Sequence, residues 1–138
     1  MPPPFRILVI DDDPHLCRTL TLMLEHAGHT VDAALGDQLA LSCLDLKGYD
    51  LILLDIMTLV PRGLELLTWL QQCAQVPILV LIGEDLSDKE AELRQKGVKG
   101  ILYKPFNAET LLLKVAELLH ILRPPDPSGV PHEPSPAS

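Results

Sequence analysis

The sequence predicts an α/β fold: a five-stranded parallel sheet buried between helices. Three observations predict it. Short apolar runs alternate with amphipathic stretches along the chain, the signature of βα units around a buried parallel sheet. Five such units fit before a Pro-rich C-terminal tail. A length of 138 residues with 47% hydrophobic content supplies one sizeable core and leaves no room for a second folded domain.

The elements follow in order. Phe5 to Ile10 is the first apolar run, and Asp13-Pro14 opens a helix with an acidic N-cap and proline in the first turn; Gly28 closes it. Thr30 to Leu35 forms a polar-edged second strand. The next helix carries Leu39, Ala40, Cys43 and Leu44 on one face. Leu51 to Leu54 is a third strand whose composition buries both faces. A helix over about Gly63 to Cys73 leads to a fourth strand over Pro77 to Ile82, with proline at its start, where the ladder tolerates it. Ser87-Asp88-Lys89-Glu90 matches a capping box for the fourth helix, which Gly97 ends. Gly100 to Tyr103 is the fifth strand, and Asn107 caps a last helix running to about Leu122.

Composition narrows the function. No apolar run approaches the ~20 residues of a membrane span, and the start Met-Pro-Pro-Pro-Phe-Arg lacks the features of a secretory signal, so the expected compartment is the cytoplasm. A net charge of −8 argues against direct nucleic-acid binding by this chain, because phosphate backbones are held by clustered Lys and Arg. Cys17, Cys43 and Cys73 read as reduced core thiols. His26 and His29 flank a helix-ending Gly28 that turns the rings apart, so no metal pair is expected. Residues 5–122 read as one domain. Residues 123–138, with Pro124, Pro125, Pro127, Pro131, Pro134 and Pro136, read as a disordered tail or linker.

In an open parallel sheet, functional groups gather in the crevice beyond the carboxyl ends of the strands. The first strand ends in Asp11-Asp12-Asp13, the third in Asp55, the fourth in Ile82-Gly83-Glu84 and the fifth in Lys104-Pro105-Phe106. Two carboxylates roughly 5 Å apart repel by about 3 kcal/mol at an effective dielectric of about 20, so Asp11, Asp12 and Asp55 call for a cation. Mg²⁺ suits them: it takes hard oxygen ligands and keeps several waters in a pocket open to solvent. Lys104 can pair with Asp55 or with an added phosphoryl group. The permitted chemistry is attack by the Asp55 carboxylate on phosphorus, giving an acyl phosphate. Asp13 is assigned to helix capping.

The motifs ILVIDDDP, DLILLDIM and GILYKPF, in this order and spacing, resemble the receiver domain of two-component response regulators. The resemblance covers about residues 5 to 122. It implies a doubly wound, flavodoxin-like sheet of order 2-1-3-4-5, with Asp55 as acceptor of a phosphoryl group from a histidine kinase or phosphotransfer protein. Mg²⁺ would be bound by Asp11, Asp12, Asp55 and the Met57 carbonyl, with Lys104 on the phosphoryl group and a cis Lys104-Pro105 peptide. It also implies a signalling domain rather than an enzyme, with a homodimer or effector face on the fourth helix, fifth strand and fifth helix. The last helix carries Leu111, Leu112, Leu113, Val115, Leu118, Leu119, Ile121 and Leu122, more than one core stripe requires.

The chain departs from the family at its switch. Receivers place Thr or Ser at the end of the fourth strand, where Ile82 stands, and an aromatic on the fifth, where Ile101 stands. An alkyl group cannot donate a hydrogen bond, so a charge-assisted contact worth roughly 1.5–3 kcal/mol is absent. After Asp55 the family's proline is replaced by Leu59, with Pro61 displaced and Arg62 adding charge. Two readings follow: a phosphorylated receiver with a damped or rerouted response, or an atypical pseudo-receiver that binds partners independently of phosphorylation. Other classes fit less well. Aspartate-dependent phosphohydrolases carry their nucleophile in Asp-x-Asp after the first strand, a flavodoxin's phosphate loop would be repelled by Asp11-Asp12-Asp13, and no Gly-x-Gly-x-x-Gly or P-loop supports nucleotide binding.

Overall fold

The computed structural model describes residues 5–35, 48–55, 62–73 and 75–121. Strands β1 (Arg6–Asp11), β2 (Thr30–Leu35), β3 (Leu51–Asp55), β4 (Ile78–Gly83) and β5 (Gly100–Lys104) form one sheet. Every pairing is parallel and the order is β2-β1-β3-β4-β5, as the resemblance implies. Helices α1 (Pro14–His26), α2 (Arg62–Cys73), α3 (Glu90–Gln95) and α4 (Ala108–Ile121) are joined by a 3-10 segment, Glu84–Lys89, that leads from β4 into α3. The predicted second helix around Leu39, Ala40, Cys43 and Leu44 lies outside the described residues, as does the tail. The four observed helices are therefore the first, third, fourth and fifth of those predicted.

Strand side chains alternate between faces, and residue parity accordingly divides the core. Ile7, Val9, Leu51, Leu53, Leu79 and Leu81 face one side, where α1 (Cys17, Leu20, Leu24) and α4 (Leu111, Val115, Leu118) cover them. Leu8, Ile10, Ile52, Leu54, Val80 and Ile82 face the other, under Leu67 and Leu70 of α2 and Leu93 of α3. Both layers are almost wholly buried, and each fully buried leucine contributes about 2 kcal/mol. Parity fixes more than the core, because it also decides which strand-end residues share a face.

The expected stops and caps largely form. Asp13 accepts the His15 amide at 2.9 Å with Pro14 in the first turn. Asn107 Oδ1 accepts the Thr110 amide at 2.8 Å while Thr110 Oγ1 accepts the Asn107 amide at 3.2 Å, a reciprocal cap on α4. Gly28 and Gly97 hold φ at +99° and +96°, a left-handed conformation open to glycine at little cost. At Gly97 a Cβ would also stand 2.6 Å from Gln71 Nε2, which donates to the Lys96 carbonyl at 2.8 Å.

Several expectations need correction. The Ser87 capping box does not form: Ser87 already lies inside the 3-10 segment, and α3 begins at Glu90 after Lys89 with no side-chain cap. The chain turns into 3-10 geometry directly from Gly83, and Leu86, at non-helical φ and ψ, packs against the core. Cys17 is a free buried thiol as expected, but Cys73 is disulfide-bonded, against its reading as a reduced core thiol; Cys43 lies outside the described residues. On α4 the described leucines are mostly core, and only Leu113, 62% exposed, stands out to solvent among them. β4 begins at Ile78 and α2 at Arg62, each one residue from expectation.

Candidate functional site

Parity places the chemistry. Asp11 follows Ile7 and Val9, Asp55 follows Leu51 and Leu53, and Lys104 follows Leu102, so all three belong to the α1–α4 side of the sheet. β1 and β3 run in register through Ile10 and Leu54, which sets Asp11 and Asp55 side by side at the next position. Both are buried, Asp11 at 0% and Asp55 at 1% exposure. Asp12 is exposed at the rim.

Lys104 Nζ meets Asp55 Oδ2 at 2.5 Å. To do so it crosses from β5 to β3, about 10 Å over two strand spacings. The strand between them ends in Gly83, the register partner of Lys104, which puts no side chain in its path. The Lys104–Pro105 peptide is cis, as the resemblance implies.

Asp11 Oδ1 accepts the amides of Asp12 at 2.6 Å and Asp13 at 3.1 Å, which holds the carboxylate at the strand end. Asp13 is engaged at the α1 cap. Beneath the carboxylates lies Cys17, whose Sγ is 3.9 Å from the Asp11 carbonyl. Burial pushes this thiol up to about 11, and the negative charges of Asp11, Asp13 and Asp55 push the same way. One thiol thus registers all three acids.

Cys17 was invisible as part of the site from sequence, because only the packing of α1 over the strand ends brings it there; its place one turn after Asp13 was the available signal. Tyr103, whose hydroxyl reaches Glu90 of α3 on the opposite face, was missed because only the strand register shows which face it takes. Ile82 is fully buried in the layer opposite the pocket, and Ile101, 7% exposed, joins it. Met57, Leu59 and Pro61 lie outside the described residues, as does the Arg62 side chain. Among the described residues no helix is long and apolar enough to cross a membrane.

Known proteins share this sequence pattern and this fold. The sequence profile of the response regulator receiver domain matches residues 7–116. The response regulator ArlR of Staphylococcus saprophyticus is 34% identical over 115 residues, covering 83% of this chain and 52% of ArlR. The chain thus spans about half the length of the curated relatives it matches. Among solved structures, the chemotaxis response regulator CheY4 of Vibrio cholerae is similar at TM-score 0.71 and 30% identity, over 83% of this chain and 98% of CheY4. The receiver domain of Francisella response regulator 1452 is similar at TM-score 0.74 and 27% identity, over 86% of this chain and 99% of that one. The chain belongs to the response regulator receiver domains, the signalling domains of two-component systems.

Proposed function

We propose that Asp55 accepts a phosphoryl group from a histidine kinase or phosphotransfer protein, with Mg²⁺ held by Asp11, Asp12, Asp55 and the Met57 carbonyl. The observation that carries this is the buried Asp55 carboxylate, engaged by the Lys104 ammonium at 2.5 Å and flanked at the next strand end by buried Asp11. Two carboxylates buried side by side at neighbouring strand ends repel each other, and a cation offsets that repulsion.

The donor set fits a hard divalent ion. Among the described residues no three Asp, Glu, His or Cys side chains stand together as a ready cage. Mg²⁺ needs none, since it keeps waters and binds through one or two carboxylates. Bound there, it would neutralise charge on the transferring oxygens. The Asp55 oxygen forms its bond to phosphorus as the donor's N–P bond breaks, and the imidazole nitrogen leaves with the electron pair. Lys104 then pairs with a phosphoryl oxygen instead of the carboxylate.

On this reading residues 5–122 form the receiver and 123–138 a tail or linker, acting in the cytoplasm without contacting nucleic acid directly. The face of α3, β5 and α4 meets an effector or a second copy. Ile82 favours a second reading, the phosphorylation-independent pseudo-receiver, because its fully buried alkyl group offers a phosphoryl group no hydrogen bond. Incubation with Mg²⁺ and a small phosphodonor separates the two. The first expects the mass of one phosphoryl group in the wild type and none in Asp55→Asn; no gain, or equal gain in both, leaves the second.

A further inference from the structure

Tyr103 and Lys104 are consecutive in β5, so their side chains leave opposite faces of the sheet. Lys104 reaches over Gly83 to Asp55. Tyr103 faces the other layer beside Ile82, its register partner, and its hydroxyl donates to the carboxylate of Glu90 on α3. Arg94 Nε donates to the other Glu90 oxygen at 3.3 Å.

The segment that Tyr103 grips has little else of its own to hold it. Its first half is 3-10 helix with no buried residue and a break in helical geometry at Leu86, and its second half is six residues of α-helix with only Leu93 buried. Neither start has a side-chain cap. Helices this short are marginal without tertiary contacts, and elements of this kind populate open states at low cost. The Tyr103–Glu90 bond lowers the acidity of the phenol and raises that of the carboxyl, so the two groups hold each other in the bonded protonation states.

We propose that the Tyr103–Glu90 hydrogen bond is the tether through which the Asp55–Lys104 pocket sets the position of residues 84–95. One peptide unit joins the two grips, so a displacement of Lys104 tilts Tyr103 on the opposite face. With alkyl groups at 82 and 101, this hydrogen bond is a polar route from β5 to the 84–95 surface. It rests on the Asp55–Lys104 pair being the receiving end of the signal.

The test is a double-variant cycle in the full chain, read by amide hydrogen exchange of residues 84–95 with residues 6–11 as internal reference. Tyr103→Phe keeps the ring and is expected to speed exchange of 84–95 about fivefold. Glu90→Gln, which keeps a neutral acceptor, falls between it and wild type. Asp55→Asn, which loosens Lys104, shifts exchange of 84–95 at least about twofold, and that shift vanishes in the Tyr103→Phe background. The tether is overturned if Tyr103→Phe changes nothing, if Asp55→Asn changes nothing, if the two effects multiply independently, or if exchange of 6–11 rises equally. No phosphodonor is used, so the tether and the phosphoacceptor reading, judged by mass gain, can fail separately.

Discussion

Cys17 reports on the site although it takes no part in the chemistry. Its thiol is buried at 5% exposure and held up at about 11, so almost no thiolate exists near neutrality. Native protein at pH 8 is expected to resist alkylation at Cys17, while denatured protein reacts readily. The linkage has a definite sign. Below pH 9 the thiol is neutral in both states; between about 9 and 11 the unfolded chain ionises while the folded one resists, so stability falls as pH rises. The full loss from this group is about 2–3 kcal/mol. Denaturant midpoints between pH 8 and 11 should decline more steeply in wild type than in Cys17→Ala, and equal slopes would contradict the burial of the thiol.

Ile82 makes the opposite kind of residue-scale statement. Its side chain is fully buried in an apolar layer, so Ile82→Thr places a hydroxyl there and destabilises the free protein by about 1–3 kcal/mol. Because parity sets residue 82 on the face away from Asp55, that hydroxyl finds no phosphoryl acceptor. Mg²⁺ with phosphodonor should therefore raise the thermal midpoint of Ile82→Thr no more than that of wild type; a larger gain would show that residue 82 reaches the pocket. The Asp55–Lys104 pair was legible in sequence because both residues end strands. The faces that Ile82 and Tyr103 take needed the register.

Among the elements, those with a strong local signal were readable. Asn107 closes its cap with Thr110 in both directions, and Asn107→Ala should lower stability by about 1 kcal/mol, read as a shift in denaturant midpoint without a change in slope. An unchanged midpoint would mean that α4 is held by its core face alone. The fourth helix shows where local reading stops. Ser87 and Glu90 have the right spacing for a capping box, but Leu86 is drawn to the core and Glu90 to Tyr103, so tertiary contacts outweigh the cap. A polar staple was missed likewise: Arg6 lies 4.6 Å over the Tyr49 ring and 3.2 Å from Asp32, which also accepts the Tyr49 hydroxyl at 2.6 Å. It ties the N-terminal ends of the first three strands, far along the chain from one another.

For the whole molecule, the parity of five parallel strands does most of the positioning. It sends Asp11, Asp55 and Lys104 to one face and Ile82, Ile101 and Tyr103 to the other, so the acidic pocket and the surface near α3 are two sides of one sheet. The alternation of apolar runs and helices made that architecture readable, and three strand-end motifs made the family readable. The central claim is that residues remote in sequence act as one Mg²⁺-dependent acceptor site. It is tested most directly by locating the phosphoryl group by peptide mass after treatment with a small phosphodonor, with Mg²⁺ or with a chelator, in wild type and Asp11→Asn. The group should lie on the peptide containing Asp55, require Mg²⁺, and fall at least about tenfold in Asp11→Asn. Uptake elsewhere, or uptake indifferent to both the chelator and Asp11, would contradict it.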